Sequence, residues 1–228
     1  MFRTLFKLVF PCLLLISSIA HAGIVIESTR YLYKEGSREV TAQIENKDGI
    51  PYLIKSWIET PKGQTPSFMA TPPLFRLEAK QQNTVRLFST GNVAAPTDRE
   101  TIFYFNVMAI PPADDANAKN NTIQLAVRHR MRLVFRPKSL FDMNPNTEAA
   151  KLEWRKSGNK LSIKNPTPFF YYFNTIKIGN AEIKNEVNSV PPMATKEVTL
   201  KQNATASGIT WKIVNDYGGA GTLYSSSL

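Results

Sequence analysis

The chain has 228 residues, a hydrophobic content of 43% and a formal net charge of +10. This length allows one large domain or two small ones, and the hydrophobic content allows a buried core. A single cysteine excludes a disulfide framework within the chain, so packing must hold the fold together. The positive charge alone is compatible with a solvated basic surface, nucleic acid, acidic lipid headgroups or an acidic partner.

The first residues have the pattern of a secretory signal peptide, predicted over residues 1–22. Arg3 and Lys7 give a positive start, Leu8–Ile19 is an apolar run, and small residues at positions 20 and 22 predict cleavage after Ala22. A membrane anchor is the alternative, but the run is short for spanning a bilayer. The one cysteine could indicate a lipoprotein, but it lies before the apolar run ends. We therefore predict an exported protein without membrane insertion, and export argues against nucleic acid as a partner.

From Gly23 onward, segments rich in Val, Ile, Leu and aromatic residues recur about every ten residues and are separated by turn signals. These segments are Ile24–Tyr33, Glu39–Glu45, Tyr52–Ile58, Thr84–Phe88, Ile102–Ala109 and Ile123–Phe135. Short strands at this spacing, without a convincing amphipathic helix among them, are typical of an antiparallel sandwich of immunoglobulin type. The first domain is therefore predicted over residues 23–138.

The last of these segments, Ile123–Pro137, alternates with a period of two over an unusual length. One face carries Ile123, Leu125, Val127, Met131, Leu133 and Phe135, interrupted by His129. The other face carries Gln124, Ala126, Arg128, Arg130, Arg132 and Arg136, with Val134 as the exception. Such a strand could reach roughly 50 Å, well beyond the common length. It is predicted to belong to more than one sheet or to leave a stretch for another partner.

After Pro137 the strand pattern restarts. The second set of segments is Leu152–Trp154, Leu161–Lys164, Phe169–Ile178, Glu197–Leu200 and Ile209–Val214. Turn signals such as Gly158-Asn159 separate them. This pattern predicts a second, smaller β-sandwich over residues 139–228. Two β domains joined by a short connection suggest a bent, two-lobed molecule with a cleft.

The sequence gives little support for enzyme chemistry. Without the signal peptide the chain has one histidine, His129, and no cysteine, which excludes a Cys–His pair and argues against a histidine metal site. Neither a glycine-rich phosphate loop nor a nucleophile elbow is present. We read His129 as a strand residue at the rim of a core, and we predict a non-enzyme without metal or cofactor.

Four motifs resemble a known family. Asp98–Pro112 is similar to the signature of the PapD-like periplasmic pilus chaperones of the chaperone–usher pathway, and Ala70–Pro73, Asn165–Phe170 and Asn215–Gly219 are similar to further family motifs. They keep the family's order and spacing, and the resemblance covers essentially the whole mature chain. It implies an all-β fold of two immunoglobulin-like β-sandwich domains in an L-shaped, or boomerang, arrangement.

The resemblance implies a periplasmic chaperone that binds, folds and caps pilus or fimbrial subunits without ATP. Such subunits are immunoglobulin-like folds that lack their last strand, and the chaperone fills the resulting groove with its own long strand. This donor-strand complementation is itself a well-known example of β-strand addition. The chaperone then delivers the subunit to an outer-membrane usher. An open apolar edge also suggests that the free protein could self-associate.

The resemblance also assigns two binding features to residues of this chain. The pair that anchors the subunit's C-terminal carboxylate falls on Arg30 and Arg132. Arg132 replaces the family's usual lysine, and arginine keeps the charge while altering the geometry. The donor-strand residues fall on Ile123, Leu125 and Val127. The alternative is that these aliphatic side chains pack into their own domain's core and that the arginines are solvated strand residues.

A further family feature is an ion network thought to hold the two domains at their angle. It falls on Glu100, Arg136 and Asp216, which would join the end of the long strand to the second domain. The alternative is three separate surface charges.

Two other functions remain possible on sequence alone. One is a secreted structural pilus or surface subunit with immunoglobulin-like domains. Such subunits usually carry an N-terminal donor extension and often a disulfide, whereas this chain begins its first predicted strand directly after the signal. The other is a chaperone of the same family that serves a surface polymer other than a pilus.

Overall fold

The computed structural model describes residues 23–112, 125–183, 187–201 and 207–228. The predicted signal peptide lies outside the described residues. The strands of the first domain are β1 (Ile24–Ile26), β2 (Arg30–Lys34), β3 (Val40–Asn46), β4 (Tyr52–Glu59), β5 (Phe68–Thr71), β6 (Leu74–Leu77), β7 (Gln82–Ser89), β8 (Thr101–Ile110) and β9 (Val127–Arg136). In the part of the chain that the structure describes, no helix is long and apolar enough to cross a membrane.

The nine strands form two sheets that enclose one core. One sheet has the order β1-β3-β7-β5, and the other has the order β2-β9-β8-β4-β6. The alternation predicted from the sequence puts every second residue into the space between them, as in β9, where Met131, Leu133 and Phe135 are buried. Phe105 and Leu133 are fully buried in this core.

The first predicted strand, Ile24–Tyr33, is wrong as a single element. The chain breaks at residues 27–29, so that β1 pairs with β3 in one sheet while β2 pairs with β9 in the other. Ser28 favours the break because its hydroxyl bonds to both backbone groups of Arg30, in the manner of a local turn. The β2–β9 pair is parallel, which departs from the purely antiparallel sandwich that was predicted.

The second domain opens with a short 3-10 turn at Lys138–Leu140, whose Leu140 is buried in that domain's core, and with the single-turn helix α1 (Pro145–Glu148). Its strands are β10 (Glu153–Ser157), β11 (Lys160–Asn165), β12 (Tyr171–Ile178), β13 (Ala181–Glu182), β14 (Ser189–Val190), β15 (Ala194–Thr199), β16 (Gly208–Val214) and β17 (Ala220–Ser227). They form a sheet β10-β11-β15 and a sheet β13-β12-β16-β17, with β14 also pairing to β12. Trp211 and Phe169 are among the large side chains buried in its core.

Val134, the exception to the alternation of β9, is explained by the contact between the domains. It is fully buried in a small apolar cluster with Ile102 of β8 and Tyr172 of β12. Phe170 and Val214 of the second domain pack against the same cluster. An apolar residue is therefore required on this otherwise cationic face, because the second domain covers it there.

Candidate functional site

β9 has one edge that is covered over only half of its length. On one side β8 pairs with it from Val127 to Phe135. On the other side β2 pairs only with Arg132–Arg136. Among the described residues, no strand pairs with residues 127–131 on that second side, so this stretch is an open sheet edge. An open edge presents unpaired backbone donors and acceptors to any extended chain that approaches it.

The predicted donor-strand residues lie on or next to this open edge. The exposed fraction is 73% for Leu125 and 54% for Val127, whereas Leu133 further along the same face is fully buried. Ile123 lies outside the described residues. The alternative, that these aliphatic residues pack into their own core, therefore does not hold for Leu125 and Val127. His129 follows on the same face and is half-buried.

The two predicted anchor arginines lie side by side. Arg30 of β2 is the register partner of Arg132 in β9. The Arg30 guanidinium is buried, donates to Asp216 Oδ1 at 3.2 Å and to the Val214 carbonyl at 3.3 Å, and keeps a buried Nε without a partner among the described residues. The Arg132 guanidinium is half-buried and stacks on the Tyr172 ring, 3.7 Å from its centroid. Both cations therefore lie where the two domains meet.

The three residues of the predicted ion network are also brought together there. Arg136 donates to Glu100 Oε1 at 2.8 Å and to both Asp216 oxygens at 2.8 Å. The other Glu100 oxygen accepts the backbone N–H of Phe170 at 2.8 Å. Glu100 and Arg136 belong to the first domain while Asp216 and Phe170 belong to the second, so the cluster ties one domain to the other.

Burial and charge act against each other in this ion cluster. Burial raises the pKa of the Glu100 carboxyl, although Arg136 favours its ionised form. Burial likewise lowers the pKa of Arg30, against the attraction of Glu100 and Asp216. Burial would also lower the pKa of Arg136, but its bonds to Asp216 and Glu100 raise it above the ordinary value. Removing Arg136 would leave the buried Glu100 carboxylate without its paired cation, whereas Asp216 would still have Arg30.

The structure adds a feature that sequence reasoning missed, which we call the arginine row: Arg128, Arg130 and Arg132. Each guanidinium lies over an aromatic ring, at 5.0 Å from the centroid of Trp57, 3.7 Å from Tyr104 and 3.7 Å from Tyr172 respectively. The alternating arginines are visible in the sequence. The rings come from three other strands, and no local signal in the sequence links them to the arginines.

Both domains match one protein family. The family described as pili and flagellar-assembly chaperone, PapD N-terminal domain, matches residues 23–141. The PapD C-terminal domain of pili assembly chaperones matches residues 147–225. This chain therefore belongs to the PapD family of pilus-assembly chaperones, which confirms the predicted resemblance.

Individual relatives agree with the family match. Chaperone protein FimC of Escherichia coli O6:H1 is 37% identical over 207 residues, covering 90% of this chain and 84% of FimC. Chaperone protein HifB of Haemophilus influenzae is 33% identical over 208 residues, covering 87% of this chain and 86% of HifB. The alternative of a structural pilus subunit is not supported, because both family domains and both relatives are chaperones.

Solved structures share the two-domain fold. A chain in the Salmonella enterica complex of SafA pilin with the SafB chaperone superposes with a TM-score of 0.82 at 31% identity, over 90% of this chain and 96% of that one. The E. coli chaperone DraB gives a TM-score of 0.80 at 31% identity, over 90% of this chain and 98% of DraB. The prediction of an all-β fold with two immunoglobulin-like domains is confirmed.

Proposed function

We propose that this protein captures pilus subunits in the periplasm, holds them by donor-strand complementation and delivers them to an outer-membrane usher. The observation that carries the proposal is the open edge of β9 with Leu125 and Val127 exposed beside it. A subunit that lacks its last strand needs both an added backbone edge and apolar side chains to fill its groove. The pilin–chaperone complex among the structural relatives supports the same role. Residues 1–22 would direct export and be removed after Ala22.

The aliphatic and cationic residues have different roles in this proposal. Burying Leu125 or Val127 in a subunit's groove would contribute about 1.5–3 kcal/mol each before ordering costs. Arg30 and Arg132 would bind the carboxylate at the subunit's chain end and so fix the register. Register matters because a slip by one residue would turn every donor side chain to the wrong face.

The Arg30→Ala variant tests the anchoring role. It should retain the subunit at least about tenfold less well, because a buried charged contact to the carboxylate is lost. The measurement is co-purification from periplasm with the subunit that the wild-type protein retains, identified by mass spectrometry. Unchanged capture would show that Arg30 does not anchor the subunit.

Two companion variants make this test specific. Arg30 also contacts Asp216, so the Ala variant could lose stability as well as binding. Arg132→Ala removes the half-buried partner, which has no ion pair among the described residues, and should weaken capture without a comparable loss of stability. Arg155→Ala on β10 removes an exposed arginine of the second domain and should leave capture unchanged.

Self-association of the free protein stays a prediction, and the structure suggests how it depends on salt. A second copy that pairs antiparallel around His129 would place Arg128 opposite the copy's Arg130, and like charges across a strand pair are destabilising. Association should therefore be weak and should increase between about 20 mM and 500 mM NaCl as screening shortens the range of the repulsion. Sedimentation velocity measures this, and association that decreases with salt would contradict it.

A further inference from the structure

The arginine row carries more positive charge than the described residues around it neutralise. Glu59 is the one described carboxylate within 4.0 Å of the row, and it serves two members, accepting from Arg128 at 2.6 Å and lying 3.1 Å from Arg130. Lys55, on the same face of the sheet, adds a further exposed cation over the Trp57 ring. This face of the sheet therefore carries positive charge that the described carboxylates do not neutralise, and it could bind further negatively charged groups.

The guanidinium groups are held in place for binding. One face of each guanidinium lies over an aromatic ring, Trp57 for Arg128 and Tyr104 for Arg130. Arg128 is fixed further by two hydrogen bonds to Asn106 Oδ1 at 3.0 and 2.7 Å. Their side chains nevertheless remain 40% and 42% exposed. A guanidinium stacked on a ring still points its N–H groups outward in its own plane. These groups can bind carboxylates with little further loss of side-chain conformational freedom.

The position of the row relates it to the open edge. Arg128 and Arg130 lie within residues 127–131, and their side chains point to the face opposite Val127. In a strand that pairs with this edge, the residues level with Arg128 and Arg130 would point to the same face as the arginines. The alternate residues would point to the side of Leu125 and Val127.

We propose that the arginine row selects an edge strand of the subunit that carries acidic side chains at alternate positions. This inference rests on the proposed function and adds a chemical requirement to it: apolar residues on the groove side and Asp or Glu on the arginine side. The carboxylates share the row with Glu59 and bind the free N–H groups of Arg128 and Arg130. Arg132, covered by Tyr172, faces the end of the same strand.

Fluorescein-labelled peptides provide the test. The acidic probe is Val-Glu-Val-Glu-Val-Glu-Val, and the neutral probe has threonine in place of each glutamate. Fluorescence anisotropy with the mature chain at low salt should show the acidic peptide bound about tenfold more tightly, a ratio that corresponds to about 1.4 kcal/mol. The double variant R128Q/R130Q should bind both peptides equally, and the control R155Q should behave as the wild-type protein.

Several outcomes would overturn the inference. These are equal binding of the two peptides by the wild-type protein, no binding of either, or an acidic preference that survives in R128Q/R130Q. The arginine row would instead bind a lipid surface under two conditions. The wild-type protein would bind phosphatidylglycerol vesicles but show no preference between the peptides, and R128Q/R130Q would lose the vesicle binding. A different experiment tests the proposed function itself. Unchanged capture of the subunit after replacement of Leu125 and Val127 would contradict donor-strand complementation, whatever the peptides show.

Discussion

The Val127→Glu variant is expected to bind a pilus subunit at least about tenfold more weakly than the wild-type protein, because it puts a charge into an apolar groove and removes an aliphatic contact. Val127 is 54% exposed in the free protein, so replacing its side chain removes few packing contacts within its own domain. The melting temperature should therefore stay the same. Subunit capture in periplasmic co-expression, followed by thermal unfolding of the purified variant, measures both effects.

A matched control separates this result from a general effect of adding charge. Leu223 of β17 is another exposed aliphatic residue, 59% exposed and in the second domain. Leu223→Glu should capture the subunit as well as the wild-type protein does. If Val127→Glu and Leu223→Glu behaved alike, β9 would not be the strand that fills the groove.

The Arg136→Ala variant is expected to lose about 3–5 kcal/mol of unfolding free energy, because it leaves the buried Glu100 carboxylate without its paired cation, while Asp216 keeps only Arg30. The Arg136 side chain is 5% exposed and that of Glu100 is 0% exposed, so water compensates for little of the loss. Urea unfolding measures the change. Trp57 in the first domain and Trp154 and Trp211 in the second report on both domains by fluorescence, so separate transitions would reveal that the domains had become uncoupled.

A surface ion pair gives the comparison for this variant. Lys164 lies 2.9 Å from Glu153, with the two side chains 54% and 41% exposed. Lys164→Ala should cost no more than about 1 kcal/mol, as is usual for exposed pairs. A loss in Arg136→Ala as small as this would mean that the buried cluster does not hold the domains together.

Alternation predicted the longer strands whose two faces differ in polarity, and it missed the short strands β5, β6, β13 and β14. β17 was not predicted, because its residues are mostly small and polar and most of them are exposed at the edge of the sheet. The division of Ile24–Tyr33 was missed because both parts are apolar, and only Ser28 between them indicates the break. The strand predicted over Ile123–Pro137 is shorter in the described residues: β9 begins at Val127, and Leu125 and Ala126 precede it outside the strand. The hydrophobic pattern also could not show that residues 127–131 lack a partner along one edge.

The candidate site divides in a similar way. Arg30, Arg132, Glu100, Arg136 and Asp216 were assigned by resemblance, because no local pattern distinguishes them from other charged residues of the chain. Their proximity depends on contacts across up to 186 positions of sequence, such as that of Arg30 with Asp216. The rings beneath the arginine row come from β4, β8 and β12, so only the folded sheets could place them there.

The parallel pairing of β2 with β9 also sets a limit on the length of a bound strand. β2 occupies the edge of β9 from Arg132 onward, and the Arg132 N–H donates to the Thr29 carbonyl at 3.1 Å. A subunit strand that paired with the open edge in the same direction as β2 would run towards the first residues of β2. Its C-terminal end would meet Thr29 and Arg30, and the strand could not continue along β9. Its chain end would stop beside Arg30 and Arg132. β2 would thus act as a steric stop, so that a bound subunit strand can pair only with the part of the β9 edge that β2 leaves free.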